Sequence, residues 1–224
     1  MAIKNFIALF VILMSFIFLC SLGMWQVKRL AWKTEVITKI DEQYKNARDL
    51  STEEIFSIQP EDFLYGTIQG QTRSQDPIFL GPIPSNNKFG YHVILPFEFD
   101  NQFILANMGW VNETEKESLE LSYSGELIGL IRYPEWNIFT SENNPETGFW
   151  TKPSVYQISQ YFELEDVAPA MIYVTNKTNE LITEHPADWY PNNRHLQYAI
   201  FWFTMAFSLL AFSGYYIHKT KRSS

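Results

Sequence analysis

The chain has one cysteine in 224 residues, Cys20, so no disulfide can form within it. Cys20 lies in an apolar run and reads there as a small apolar side chain. The residues before it, Ile17, Phe18 and Leu19, are too large for a lipoprotein processing site. Motifs that carry reaction chemistry are also missing. There is no G-x-S-x-G, no G-x-x-x-x-G-K-[ST], no G-x-G-x-x-G and no H-E-x-x-H. Their absence removes the readily recognised esterase, nucleotide-binding, dinucleotide-binding and zinc-protease classes, and no enzymatic activity is expected. A copper carrier needs paired soft ligands, which one cysteine and six scattered methionines do not supply. Basic residues are few as well: 17 Lys and Arg stand against 25 Asp and Glu, a net charge of −8. A nucleic-acid partner is therefore not expected.

Charge is absent altogether from two long stretches, residues 6–24 and 196–217. Each is long enough to cross a hydrocarbon core of about 30 Å as a helix, which takes about 20 residues. Lys4 and the Ser21-Leu22-Gly23 sequence give the first stretch some likeness to a secretory signal. Its apolar run is too long for one, so both stretches are expected to span a membrane and contact lipid. The expected division is a cytoplasmic N-terminus at 1–5, spans at 6–24 and 196–217, an extracytoplasmic domain at 25–195 and a cytoplasmic tail at 218–224. The tails carry Lys4, Lys219, Lys221 and Arg222 and no acid, whereas the central segment holds all 25 acids. Positive tails inside and a long acidic segment outside follow the positive-inside tendency. Lys28, Arg29 and Lys33 oppose it locally, but long loops translocate largely regardless of charge. No Arg- and Ser-rich amphipathic leader precedes the first span, which points to a bacterial inner membrane.

Between the spans, helical pattern continues from the first to about residue 47, and Ser51-Thr52-Glu53-Glu54 predicts a capping box opening a short helix. The period then changes. Residues 65–73, 78–80, 91–99, 102–111, 125–133 and 170–175 are rich in Ile, Val, Phe, Tyr and Thr, the composition of strands. Asp100-Asn101 is placed as a hairpin turn, and 153–162 as a short helix with Pro153 in its first turn. The fold expected is a membrane protein: two transmembrane helices flanking one β-rich α+β domain.

Most polar candidates have an ordinary explanation. Glu113, Glu115, Glu117 and Glu120 form an acidic run that reads as a solvated edge, and Tyr123 and Tyr133 read as packing residues. Of the four histidines, His218 sits among lysines, His185 in a polar loop and His92 at a strand start. His195 differs because it stands in Pro191-Asn192-Asn193-Arg194-His195, where polar sequence runs into the second apolar stretch. At 100° per residue, His195, Ala199, Trp202, Ala206 and Ser213 share one helical face. Small residues spaced by seven let a flat object or another helix approach. An imidazole above such a face could ligate haem iron, and it could equally be an interfacial residue of a plain helix pair. At the first junction, Trp25, Arg29 and Trp32 fall within about 60° of one another. A guanidinium between two indoles allows cation–π stacking, while an aromatic belt with snorkelling cations accounts for the same spacing.

The two junctions, L-G-x-W-Q-x-x-R-x-x-W-K from Leu22 and N-x-H-L-Q-Y-A from Asn193, resemble the SURF1 (Shy1) family. So do the blocks between them, in order: Gly90-Tyr91-His92-Val93 with Pro96, Gly109-Trp110-Val111, Ile131-Arg132-Tyr133-Pro134-Glu135, and Asn144-Pro145 ahead of Trp150. The resemblance covers nearly the whole chain. It implies a role in biogenesis of haem–copper cytochrome c oxidase, with delivery of haem a to the catalytic subunit as partner and haem a synthase as a second one. It also implies that His195 matches the family histidine proposed as a haem ligand, and that Trp25, Gln26 and Arg29 match the family residues of the first junction. Two positions depart from the family pattern: Met108 stands where a basic residue is usual, and Arg194 where bacterial relatives have asparagine.

On these grounds the expected cofactor contact is transient haem a held through His195, Trp25, Gln26, Arg29 and Trp202, with His195 on the iron and Arg29, helped by Lys33, on the propionates. The alternative is a membrane scaffold that binds oxidase subunits without holding haem. Tails too short for an output domain disfavour a membrane sensor.

Overall fold

The computed structural model describes residues 2–222 except 61, 75, 86, 120 and 187–189, with side chains from residue 6 to 219 and at 222. Glu120 of the acidic run and the ends of the two tails thus lie outside the described residues. The chain divides into two compact units, one made of 1–38 and 190–224, the other of 39–189.

The first unit is a helix pair. Helix α1 runs Ala2–Lys45 without interruption, and the last helix, α4, spans His195–Arg222. Both are long and apolar enough to cross a membrane. Their outer faces expose large apolar groups such as Phe10, Phe18, Phe207 and Phe212, whose transfer out of water each releases roughly 2 kcal/mol. Against each other the helices use small residues. Ala199 and Ala206 are buried, and a Cβ on Gly23 would come within 2.8 Å of the Phe203 ring. The seven-residue spacing read as a docking face is therefore the seam of this pair.

The second unit is a small β-barrel. After β1 (Arg48–Asp49) and the helix α2 (Thr52–Ser57) come β2 (Leu64–Thr72), β3 (Ile78–Ser85), β4 (Lys88–Phe99), β5 (Gln102–Asn112), β6 (Ser124–Arg132), helix α3 (Val155–Tyr161) and β7 (Val167–Val174). The strands lie in the order β1-β2-β6-β7-β5-β4-β3. The end of β2 also pairs with β4, Gln71 with Glu98 and Thr72 with Phe97, and this closes β2, β6, β7, β5 and β4 into a ring. Gly70 permits the closure, since a Cβ there would stand 2.0 Å from the Glu98 carbonyl oxygen.

Alternation along the strands sorts side chains to two sides of the barrel wall. Val93, Leu95, Phe97, Ala106 and Ile172 point into the main core. Their neighbours Ile94, Leu105 and Met171 point the other way, where Ile158 of α3 and Trp150, ahead of that helix, cover them. Ser51 and Glu54 form the capping box, and Asp100 and Asn101 take φ of 48° and 61° in the hairpin turn, which asparagine and aspartate tolerate. Ser154 rather than Pro153 caps α3. Strand β3 continues past residue 80 through Pro82 and Pro84. Both prolines sit on the sheet's outermost strand, where a missing N–H costs no ladder bond. Tyr123 and Tyr133 pack against the main core. The β4–β5 ladder slips by one residue between Val93 and Ile94. Met108 continues the inward alternation of Ile104 and Ala106 and is almost fully buried, so that position offers a partner no surface contact.

Candidate functional site

In the helix pair, polar groups meet at the start of α4. The Nδ1–H of His195 donates to Oε1 of Gln26 at 2.7 Å. Gln26 is buried, and His195 is half-buried at the first position of α4. Two turns along α1 from Gln26, Lys33 Nζ donates to the carbonyl of Asn192 at 2.7 Å. Gly23, Gln26 and Lys33 lie within about 80° around α1, so a single stripe of that helix faces α4. A glutamine oxygen accepts and cannot donate, so it holds His195 in the tautomer with hydrogen on Nδ1. Nε2 then carries the lone pair a metal ion requires, the arrangement in which an outer partner orients a ligating imidazole.

The other expected residues take different places. Trp25 is 53% exposed. The Arg29 guanidinium lies over the Trp32 ring, 4.8 Å from its centroid, as the one-face spacing of these residues suggested. That face is about a quarter turn from the stripe bearing Gln26. Trp202 is half-buried and meets Phe201 edge-on, ring centroids 5.2 Å apart. Thus Gln26 is brought to His195, while Trp25 and Arg29 line the adjacent flank of α1. Arg194 is exposed and caps α4 through its carbonyl, which accepts from the Gln197 amide at 3.1 Å.

In the barrel unit the structure assembles a polar cluster that separate consideration of each histidine missed. Asn107 precedes the bulge at Gly109, whose φ is +126°; it shares the face of Leu105, paired with Ile94 and Tyr173, and is buried there. The Gly109 N–H donates to Asn107 Oδ1 at 3.3 Å, which fixes the amide orientation. Asn107 Nδ2 then donates to His92 Nδ1 at 3.1 Å, and His185 Nε2–H donates to Oδ1 at 2.8 Å. His92, accepting on Nδ1, carries its hydrogen on Nε2. Burial pushes the His92 pKa down to about 4. Burial, then the neighbouring His92 and Arg132, push His185 down to about 3, so both imidazoles are neutral near pH 7 and His185, donating from Nε2, keeps its lone pair on Nδ1. The signal available in sequence was Gly109 in Ala106-Asn107-Met108-Gly109, a glycine within a strand that marks a bulge.

Fold and geometry together define a class: a chain in which a small β-barrel is inserted, in sequence, between two long apolar helices that share an imidazole–amide hydrogen bond. Within that class the SURF1 family model matches residues 13–207, and the chain belongs to the SURF1 family. A SURF1-like protein of Dictyostelium discoideum is 26% identical over 255 aligned positions, covering 88% of this chain and 92% of the relative. A SURF1-like protein of Rickettsia prowazekii is 26% identical, covering 94% of this chain and 90% of its own length. The cytochrome oxidase assembly protein SHY1 of Saccharomyces cerevisiae is 24% identical, covering 73% of this chain but 46% of SHY1.

Proposed function

We propose that this protein is a non-enzymatic assembly factor for haem–copper cytochrome oxidase in a bacterial inner membrane. In this role it aids delivery of haem a to the catalytic subunit. Family membership and the assembly role named for the yeast relative support this reading. The two exposed apolar helices support a membrane setting, and the positive tails support placing the barrel on the extracytoplasmic side. The observation that carries the haem step is the His195–Gln26 hydrogen bond, because it leaves Nε2 of His195 as a free metal-binding lone pair.

The donor set fits haem as cargo. His195 would ligate the iron, and Gln26 would orient the ring. Trp202, on the His195 face of α4, would offer an aromatic wall, and Trp25 would do so from the flank of α1. Arg29 on that same flank would attract the propionates, with a charge-assisted hydrogen bond as the contact. Lys33 is engaged with the Asn192 carbonyl and serves the helix junction more than a propionate. One imidazole and no second strong ligand suits transfer, since a cargo held at one axial position can leave.

The test is co-expression with a haem a pathway, purification and absorption spectroscopy. Wild type is expected to carry haem, and His195→Ala to lose it. Stoichiometric haem with an unchanged spectrum in His195→Ala would refute the ligand assignment. A second function, as a scaffold that holds oxidase subunits without haem, is favoured by one feature. Ile138 and Phe139, 91% and 88% exposed, are presented on a turn in which the Phe139 N–H donates to the Asn137 side chain at 2.8 Å. If the scaffold role is the whole function, the catalytic subunit co-purifies and haem does not.

A further inference from the structure

The cluster around Asn107 opens onto a pocket of about 250 Å³, enclosed by His92 of β4, Leu130 and Arg132 of β6, Tyr173 of β7, and Thr175, His185 and Pro186 of the segment that follows. It lies wholly within the barrel unit. Its volume is below the roughly 300–1,000 Å³ of ordinary cofactor sites, so it excludes a macrocycle and admits a molecule of under about ten heavy atoms. This pocket is therefore separate from any haem contact and does not rest on that function.

Three groups in the wall have hydrogen-bonding capacity that the protein does not use. The tautomers set by Asn107 leave Nε2–H of His92 as a donor and Nδ1 of His185 as an acceptor. The Tyr173 ring is engaged edge-on by His185 with centroids 5.3 Å apart and face-on by the Arg132 guanidinium at 4.3 Å. Its hydroxyl makes no hydrogen bond to a described residue. Burial pushes that hydroxyl's pKa up, so it remains a neutral donor. By contrast, the Thr175 hydroxyl is occupied, bonded to the Ile128 carbonyl at 3.1 Å. No carboxylate occurs among the described residues of the wall. Two neutral imidazoles pinned by one amide also cost more to build than an apolar lining, because each buried polar group needs a partner.

We propose that this pocket binds a small carboxylate bearing a hydroxyl, an α-hydroxy acid in the simplest case. Arg132, the Tyr173 hydroxyl and His92 Nε2–H supply cation and donors for the carboxylate, and His185 Nδ1 accepts from the ligand hydroxyl. Three donors and one acceptor match such an anion and mismatch a divalent cation.

The experiment titrates glycolate, propionate and chloride into the full-length protein in detergent, labelled with ¹⁵N-histidine. Signals are assigned with single-histidine variants. Glycolate is expected to shift the ring nitrogens of His92 and His185 saturably and leave His195 and His218 in place. Propionate, which lacks the hydroxyl, should bind about tenfold more weakly, and Tyr173→Phe should weaken glycolate binding at least about tenfold, the effect of one hydrogen bond to a charged group. Absence of a saturable shift with glycolate, or an equal shift with chloride, overturns the site. Equal binding of propionate and glycolate to wild type overturns the role of His185, and this comparison stands even if Tyr173→Phe does not fold. Unchanged glycolate affinity in a folded Tyr173→Phe overturns the role of the hydroxyl.

Discussion

Acidification from about pH 7 to about pH 5 should destabilise the barrel through His92 and His185. In an unfolded chain each imidazole titrates near 6.5, whereas in the fold burial holds them near 4 and 3. The folded state therefore binds fewer protons than the unfolded state below about pH 6.5. Stability rises with pH wherever the unfolded state binds more protons. The contribution is thus fully present above the unfolded value and is lost as pH falls from about 6.5 towards the folded values. Each histidine accounts for at most about 1.4 kcal/mol per pH unit. Over this interval the loss is about 2 kcal/mol per residue, about 4 kcal/mol for the pair as an upper bound. Against a typical total of 5–15 kcal/mol, such a loss is easily measured. The window is clean on the acidic side as well. Glu54, held at about 2 by Arg48 and by the Ser51 amide, loses its contribution only as pH falls below its unfolded value, near 4.3. The assay is urea unfolding of the full chain in detergent at several pH values, followed through the fluorescence of Trp110 and Trp150. A paired His92→Asn, His185→Asn variant should have a lower midpoint at pH 7 and a flatter pH dependence. A wild-type midpoint that does not move between pH 7 and pH 5, or a double variant with the wild-type slope, would refute the buried-neutral assignment.

Three further substitutions separate closure of the barrel from its surface. Gly70→Val places a Cβ against the Glu98 carbonyl, 2.0 Å away in the native backbone. The two strands would have to part, so a loss of about 3 kcal/mol is expected, read as a lower thermal midpoint by near-ultraviolet circular dichroism. If Gly70→Val melts with wild type, the β2–β4 contact does not close the barrel. Ser51→Ala removes the acceptor for the Glu54 amide in the capping box and should cost about 1 kcal/mol. Arg48→Ala, which breaks an exposed ion pair with Glu54, should lower the midpoint less than Ser51→Ala in the same assay. A larger effect from Arg48→Ala than from Ser51→Ala would reverse this ranking of cap over surface charge.

Much of the barrel could be read from periodicity because its strands bury one face at a time. Val93, Leu95 and Phe97 alternate with Ile94 and Pro96, and the turn at Asp100-Asn101 carries its own chemistry. Helix ends were legible where a capping side chain marks them, as at Ser51. The closure was not, since it depends on one glycine meeting a carbonyl 28 residues away in sequence. The histidine cluster was hidden for the same reason. His92 and His185 lie on a strand and on a segment beyond the last strand, and each is unremarkable in its local context. What joins them is Asn107, which alternation puts on the face of Leu105, away from Ala106 and Met108. Which distant groups meet it there depends on its pairing with β4 and β7 and on the segment after β7, and alternation says nothing about that.

At the helix junction the distinction is finer. Spacing grouped Trp25, Arg29 and Trp32 on one face, and the stacking of Arg29 on Trp32 agrees with that grouping. Spacing says nothing about which face of α1 meets α4. That choice follows from size. Gly23 is the position on α1 against which the Phe203 ring of α4 packs, so the stripe through Gly23 faces the partner helix and carries Gln26 with it. The indoles are too bulky for the seam and take the flank. A buried amide in an apolar seam must find a partner, and His195 is that partner. The imidazole is thus held by the residue the seam forces inward, while the cation at Arg29 remains a quarter turn away and accessible. If haem is the cargo, iron and propionate contacts would then fall on different faces of α1, so Arg29→Ala should slow loading without changing the axial-ligand spectrum. Gln26→Leu should do the reverse, shifting the spectrum through the loosened ring. A shared phenotype for the two variants would place both residues on one face of the cargo and contradict the seam geometry.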